Sequence, residues 1–323
     1  MAYQTLVIRI PAQLARDVAA RIAEESTGYA SVSEFACVAL TNQLELEREQ
    51  DSVDAEQAPI PIPSLSQDYL ARLAGGAPPD LAEPQRPGAP LFVLTNRMSP
   101  MKVAVRVLAN MRLSGEWPVT RAFQLNAGRE ARRLGLRLRA EDEAVGRRAF
   151  DRRWVAYPVG DDEAPALERY IASFTVAEGR SGSSGPLAIL GLAAVQNGRA
   201  LLTPDGWRLA VAESPLLDFV GDGALTEEEA RILTQALASS PQVREEVASF
   251  LRGVRRAKGL QGELDRILQA DNPDWSVSQV QSFRSAQVGR LSDIGVLRVT
   301  GRGTNAEIHV HDPAAWLGSG ETH

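Results

Sequence analysis

Hydrophobic and polar positions alternate with strand period at the start of the chain. Leu6, Ile8 and Ile10 share one face, Thr5, Val7 and Arg9 the other, and Pro11 ends the run. The spacing becomes helical from about Ala12, breaks at Gly28-Tyr29, and resumes behind Ser31-Val-Ser-Glu34, which fits a capping box. Further on, Ser99-Pro100 predicts an N-cap and first helical position. Met101, Ala104, Val105, Leu108 and Met111 follow at helical spacing, with Gly115 as the stop. A second helix is predicted from Val119 to Leu134, with Phe123, Ala127 and Ala131 inward. Two short strands flank Asn197-Gly198, the turn of a tight hairpin, and Thr203-Pro204-Asp205 predicts the cap of a helix bearing Trp207. Helices are expected over about 226–238, 242–256 and 259–269. One more, capped by Ser276 or Ser278, carries Val280, Phe283, Val288, Leu291 and Ile294 on one side. After Gly295, LRV and AEIHV predict a hairpin around Thr300-Gly-Arg-Gly-Thr-Asn305. The fold class is mainly α with small β hairpins (α+β).

The last pattern occurs twice. Aligning PLAILGLAAV (186–195) with RLSDIGVLRV (290–299) pairs Leu187 with Leu291, Leu190 with Ile294, Gly191 with Gly295, Leu192 with Val296 and Val195 with Val299. The copies differ in what precedes the hairpin. Before the first lies Gly179-Arg-Ser-Gly-Ser-Ser-Gly185, expected as a flexible loop. Before the second, Gln281, Arg284, Ser285, Gln287 and Arg290 are expected to project from the helix opposite its core side. Gln and Arg are the side chains that match adenine and guanine edges. Arg298, Arg302 and Asn305 on the second hairpin suit phosphate or minor-groove contact; a polar helix cover is the alternative.

The N-terminal stretch resembles the ribbon-helix-helix fold of the Arc, MetJ and CopG families. The strand ending at Pro11, the Gly28-Tyr29 turn and Ser33-Glu34-Phe35 at the second helix head carry the likeness. The resemblance implies a homodimer with one strand from each chain entering the DNA major groove. It gives Thr5, Val7 and Arg9 as base readers and Ser31, Val32 and Ser33 as phosphate holders, with dimerisation alone as the other reading. A unit of this size buries too little apolar surface to stand alone, which also calls for a partner strand. The stretch LGLAAVQNGRALLTPDGWRL resembles the wing and following helix of winged-helix regulators such as the MarR and PadR families. The resemblances divide the chain into a ribbon-helix-helix module (1–48), a Pro-rich acidic linker (49–90), two winged-helix-like domains (91–218 and 219–318) and a tail (319–323).

Charge sharpens the division. The net of −6 hides a segment, 91–160, with 14 basic and 6 acidic residues, whereas residues 1–50 carry a net of −3. Such segregation calls for a polyanion or for an acidic partner within the chain. Arg129, Arg132, Arg133, Arg137 and Arg139, with Arg147, Arg148, Arg152 and Arg153 interleaved with Phe150 and Trp154, form either a phosphate-contacting surface or a face paired with Glu141, Asp142 and Glu143. Eight prolines between residues 59 and 90 predict a semi-rigid tether.

Catalytic signatures are missing. No Walker A loop, nucleophile elbow or E-x-K triplet occurs around Lys102 and Lys258, the only lysines. His309 and His311 share a strand face, yet no cysteine or third nearby histidine completes a metal set, and Gly160-Asp161-Asp162 reads as a polar turn. With one cysteine, no apolar run of membrane length and no leader pattern, a cytoplasmic, nucleoid-associated protein is expected, without metal or cofactor. The expectation is a non-enzymatic, homodimeric regulator bound to double-stranded DNA. The alternative is an adaptor or DNA-targeting subunit of a larger plasmid-maintenance, recombination or phage-defence assembly.

Overall fold

The computed structural model describes residues 76, 78, 80–91, 95–147, 152–179, 182–218, 224–301, 306–311 and 316. All of them belong to one unit, residues 59–323. Thr5, Val7, Arg9, Ser31, Val32, Ser33, Arg302 and Asn305, and the whole 1–48 module, lie outside the described residues. The described chain is mainly helical with three small antiparallel strand pairs. No helix among the described residues is long and apolar enough to cross a membrane.

The first half contains α1 (Ser99–Leu113), α2 (Thr120–Ala144), a 3₁₀ turn (Arg153–Ala156) and α3 (Glu163–Phe174). Then come β1 (Ala177–Gly179), β2 (Gly182–Ser184), α4 (Pro186–Ile189), β3 (Ala193–Gln196), β4 (Arg199–Leu202), α5 (Pro204–Val211) and α6 (Pro215–Asp218). The second half contains α7 (Glu227–Ser239), α8 (Pro241–Arg256), α9 (Gln261–Asp271), α10 (Val277–Asp293), β5 (Leu297–Thr300) and β6 (Glu307–Val310).

The aligned segments share their hydrogen bonds. Leu192 N donates to Leu187 O, and Val296 N donates to Leu291 O, each across a left-handed glycine, Gly191 or Gly295. This helix stop demands positive φ, which glycine adopts without a Cβ penalty. Each hairpin closes alike: Thr203 N donates to Leu192 O, and His311 N to Val296 O. A third, one-residue strand also repeats, since Val119 bridges Arg199 and Leu260 bridges Glu307. Thr120 N and Gln261 N donate to Gly198 O and Ala306 O; Ala200 N and Ile308 N donate to Pro118 O and Gly259 O. With the 3₁₀ turn, α3, β1 and β2 of the first copy set aside as an insertion between its second and third helices, both copies read helix, bridge, helix, helix, hairpin. The first uses α1, α2, α4 and β3–β4; the second uses α8, α9, α10 and β5–β6. Each hairpin is followed in sequence by x-Pro-x-x-Trp, Thr203–Trp207 or Asp312–Trp316, and both tryptophans are buried.

Local chemistry explains the elements. Asn197 and Gly198 both take positive φ, as a tight two-residue turn requires. Thr203 Oγ1 accepts from Gly206 N, and Ser276 with Gln279 closes a capping box on α10. Three expectations change. The second helix runs ten residues past Leu134, to Ala144, so Arg137 and Arg139 lie within it. Gly179 and Gly182–Ser184 pair as parts of strands β1 and β2, with Ser183 Oγ donating to Gln85 and accepting from Val195 N. The stretch from Asp80 to Leu91 packs on the first copy instead of ending a linker: Ala82 and Leu91 are buried, and Ala82 N donates to Leu202 O.

Candidate nucleic-acid interface

The two copies present their corresponding surfaces differently. In the first, α4 is a single turn with every residue buried. Its hairpin is covered too: the directly paired Ala194 and Leu201 are both buried. In the second, α10 spans 17 residues, and Val277, Ser278, Gln279, Gln281, Ser282 and Ser285 in its first half are exposed. The strand register places Arg298 opposite His309, matching Ala194 opposite Leu201, and both are exposed. Thr300 Oγ1 lies 2.9 Å from His309 Nε2 on the same face.

The expected polar row on α10 splits. Gln281 and Ser285 are exposed, and Gln279 is already used, its side chain accepting from Ser276 N at 2.7 Å. Arg284 is half-buried, its Nε donating to Asp265 of α9 at 2.6 Å. Gln287 and Arg290 do not project to solvent: both are 0 % exposed. Gln287 donates to Glu246 of α8, and Arg290 Nη1 stands 3.3 Å from the same carboxylate. Burial pushes the Arg290 guanidinium down to about 10, against the pull of Glu246. The reason is the helix period: Gln287 and Arg290 follow Phe283 by four and seven residues and so fall on the buried side, toward α8. At the same end Gly289 packs closely, since a Cβ there would stand 2.2 Å from Asn96 O.

The arginines of the basic segment hold partners within the fold. Arg132 donates to Pro158 O and Gly160 O, both at 2.8 Å, and lies 3.4 Å from Glu163. Arg133 pairs with Glu130 at 2.7 Å, and Arg137 Nη2 donates to Leu216 O at 2.9 Å. Arg139 pairs with Glu143 at 3.0 Å and lies over Trp154, as does Arg152. Arg129 is half-buried and also engaged. Arg153 binds Asp142 and Glu141, each at 2.8 Å. Deeper still, Lys102 meets Glu229 at 3.1 Å and Arg106 meets Asp218 at 3.2 Å, all with almost no exposure. The acidic partner within the chain therefore exists, supplied by acids inside the segment and C-terminal to it.

Sequence reading missed the acids that decide the roles of the α10 side chains: Asp265 and Glu246. Nothing near them in the chain marks them, because each acts on a residue far away in sequence. Among the described residues no cluster of His, Cys, Asp and Glu could hold a metal ion. Comparison of the chain with protein-family models, with curated proteins and with solved structures gives no match in any of the three.

Proposed function

We propose that the chain is a homodimeric DNA-binding protein that acts by binding alone, with its second copy as the DNA-facing module. The repeated order of helix, bridging strand, helix, helix and hairpin is the order of a winged helix. In that architecture the third helix enters the major groove and the hairpin touches the backbone. The single observation that carries the reading is the asymmetry between the copies. The single-turn α4 and its hairpin are buried in the first, whereas in the second the first half of α10 exposes Gln281 and Ser285, and the hairpin exposes Arg298 and His309 where the first has Ala194 and Leu201. The first copy then serves as a platform that fixes α10. Residues 5–46 would join two chains, giving two reading modules per molecule, and transcriptional regulation is the use this suits.

A salt-titrated binding assay on random duplex DNA tests the reading. We expect measurable affinity whose logarithm falls linearly with the logarithm of salt concentration. Replacing Gln281 and Ser285 by Glu should weaken it, by placing acids against phosphates. No binding at low salt, or no effect of the acids, would refute it.

A second reading has its own observation. Arg284, the cation at the centre of the exposed half of α10, is held by Asp265. Such a neutralised face suits a protein partner, and the chain would then be an adaptor or targeting subunit of a larger assembly.

A further inference from the structure

We propose that the exposed half of α10 selects A·T base pairs, with Gln281 reading an adenine edge and Val277 touching a thymine methyl within two base pairs of it. The proposal rests on the DNA reading above and names the sequence that this helix takes.

The face is built almost without charge. Its exposed positions are Val277, Ser278, Gln279, Gln281, Ser282 and Ser285, none of them ionisable, and Arg284 at its margin is half-buried and held by Asp265. Val277 is 66 % exposed, more than any other large apolar side chain described in the second half. It adds nothing to the core, yet its place is fixed. It is the first residue of α10, and the capping box closes around it: Gln279 N donates to Ser276 Oγ at 3.2 Å, and Ser276 N to Gln279 Oε1 at 2.7 Å. Gln279 thus spends its amide oxygen on the cap, whereas Gln281 offers both ends of its amide to a ligand. Val277, Gln281 and Ser285 stand four residues apart and form one ridge.

Base edges in the major groove sort these side chains. A glutamine amide accepts from adenine N6 and donates to adenine N7 at once, whereas guanine shows two acceptors and suits a cation. The isopropyl group of Val277 can neither donate nor accept, and the thymine C5-methyl is the apolar group on a base edge. The serines bond to any base and add no competing preference. Four residues of helix rise about 6 Å, close to two base steps of about 3.4 Å, so a helix lying along the groove brings both contacts into one short A·T tract.

The test begins with the full chain selecting duplexes from a random pool; binding to the selected duplex is then followed by fluorescence anisotropy. The enriched site should hold two A·T pairs within three consecutive positions. Replacing each thymine in turn by deoxyuridine, which removes only the methyl, should weaken binding about fourfold at one position. Replacing the adenine by 7-deazaadenine, which removes the N7 acceptor, should weaken it about tenfold. Val277→Ser should erase the first difference and Gln281→Ala the second. Both variants should keep the melting temperature and the salt slope, since neither side chain is buried or placed to meet phosphate. Salt-dependent binding with no A·T positions enriched, or base replacements that act equally on the parent chain and the variants, overturns this proposal and leaves the DNA reading standing. No binding to any duplex at low salt overturns both.

Discussion

Asp293 and Arg97 form an ion pair at 2.9 Å that ties the end of α10 to the entrance of α1. The same carboxylate accepts from Met98 N at 2.8 Å, across 195 positions of sequence, so the second copy caps the first helix of the first copy. Anions at a helix N-terminus meet unpaired amides and the favourable end of the dipole. Burial pushes the Asp293 carboxyl up, with Arg97 and the amides of Met98 and Ser99 pulling it down.

Asp293→Ala should therefore destabilise the fold by about 1–3 kcal/mol, because buried donors lose their acceptor. Asp293→Asn keeps an acceptor and should cost less than half as much. Urea denaturation at neutral pH measures both. Equal losses would show that the charge, not the cap, is what counts. Since burial raises this carboxyl above its unfolded value, its contribution is largest below the unfolded pKa and falls as pH rises through the folded one.

Gly289 tests the same junction sterically. A Cβ there would meet Asn96 O at 2.2 Å, a backbone atom that cannot swing away. Gly289→Ala should cost about 1–3 kcal/mol by overpacking. Gly253→Ala, whose Cβ meets only flexible side-chain ends, Leu264 Cδ1 at 3.2 Å and Leu268 Cδ2 at 4.0 Å, should be tolerated. Thermal melts of the two variants decide; equal stability would mean that the α10–Asn96 contact yields.

The buried pair of Lys102 and Glu229 carries a pH signature of its own. Burial pushes the Lys102 ammonium down to about 7, helped by Arg106 and opposed by Glu229. An unfolded lysine titrates near 10.4. Between about pH 7 and 10 the unfolded chain thus holds a proton that the folded chain has shed, and this residue's contribution to stability rises with pH. The paired variant Lys102→Met with Glu229→Gln, which leaves no buried charge orphaned, should lack that rise. Urea midpoints at pH 7 and 9 compare the two; parallel slopes would place the lysine's proton elsewhere.

The hairpins, their caps and the duplication were legible because each is local. Asn197-Gly198, Thr203-Pro204 and the Gly191/Gly295 stops specify their own backbone within a few residues. Ser99-Pro100 shows where locality fails. The helix starts one residue earlier than expected, with Met98 as N-cap and Ser99 as its first residue, and its capping acceptor is Asp293, which no window of sequence can supply. The α10 face fails for a different reason: Gln287 and Arg290 stand four and seven residues after Phe283, so the helix period itself puts them on the inner side toward Glu246 of α8, and their polarity masks that spacing. The basic segment misleads in another way: a net charge says nothing of where the counter-charges fold, and Glu163, Asp218 and Glu229 fold beside it.

Arg284 carries the last prediction. Its Nε donates to Asp265 Oδ1 at 2.6 Å, which leaves the two Nη groups for a ligand edge. Gln281, one turn before, and Ser285, beside it, share the helix face, since residues three and four apart are neighbours. On the DNA reading, Asp265 positions the guanidinium and Arg284 meets a guanine edge. Losing such a bidentate contact costs about 1–3 kcal/mol against the cognate site. The loss on random DNA should be much smaller, because phosphate contacts remain. Arg284→Ala should therefore lower the ratio of specific to non-specific affinity. Asp265→Asn should lower it too, while raising affinity for random DNA by removing an acid from the face. The salt slope separates the two, steepening for Asp265→Asn as a freed arginine finds phosphate and staying level for Arg284→Ala. Equal losses on both DNAs would make Arg284 a backbone contact, and no loss on either would give this face to a protein partner.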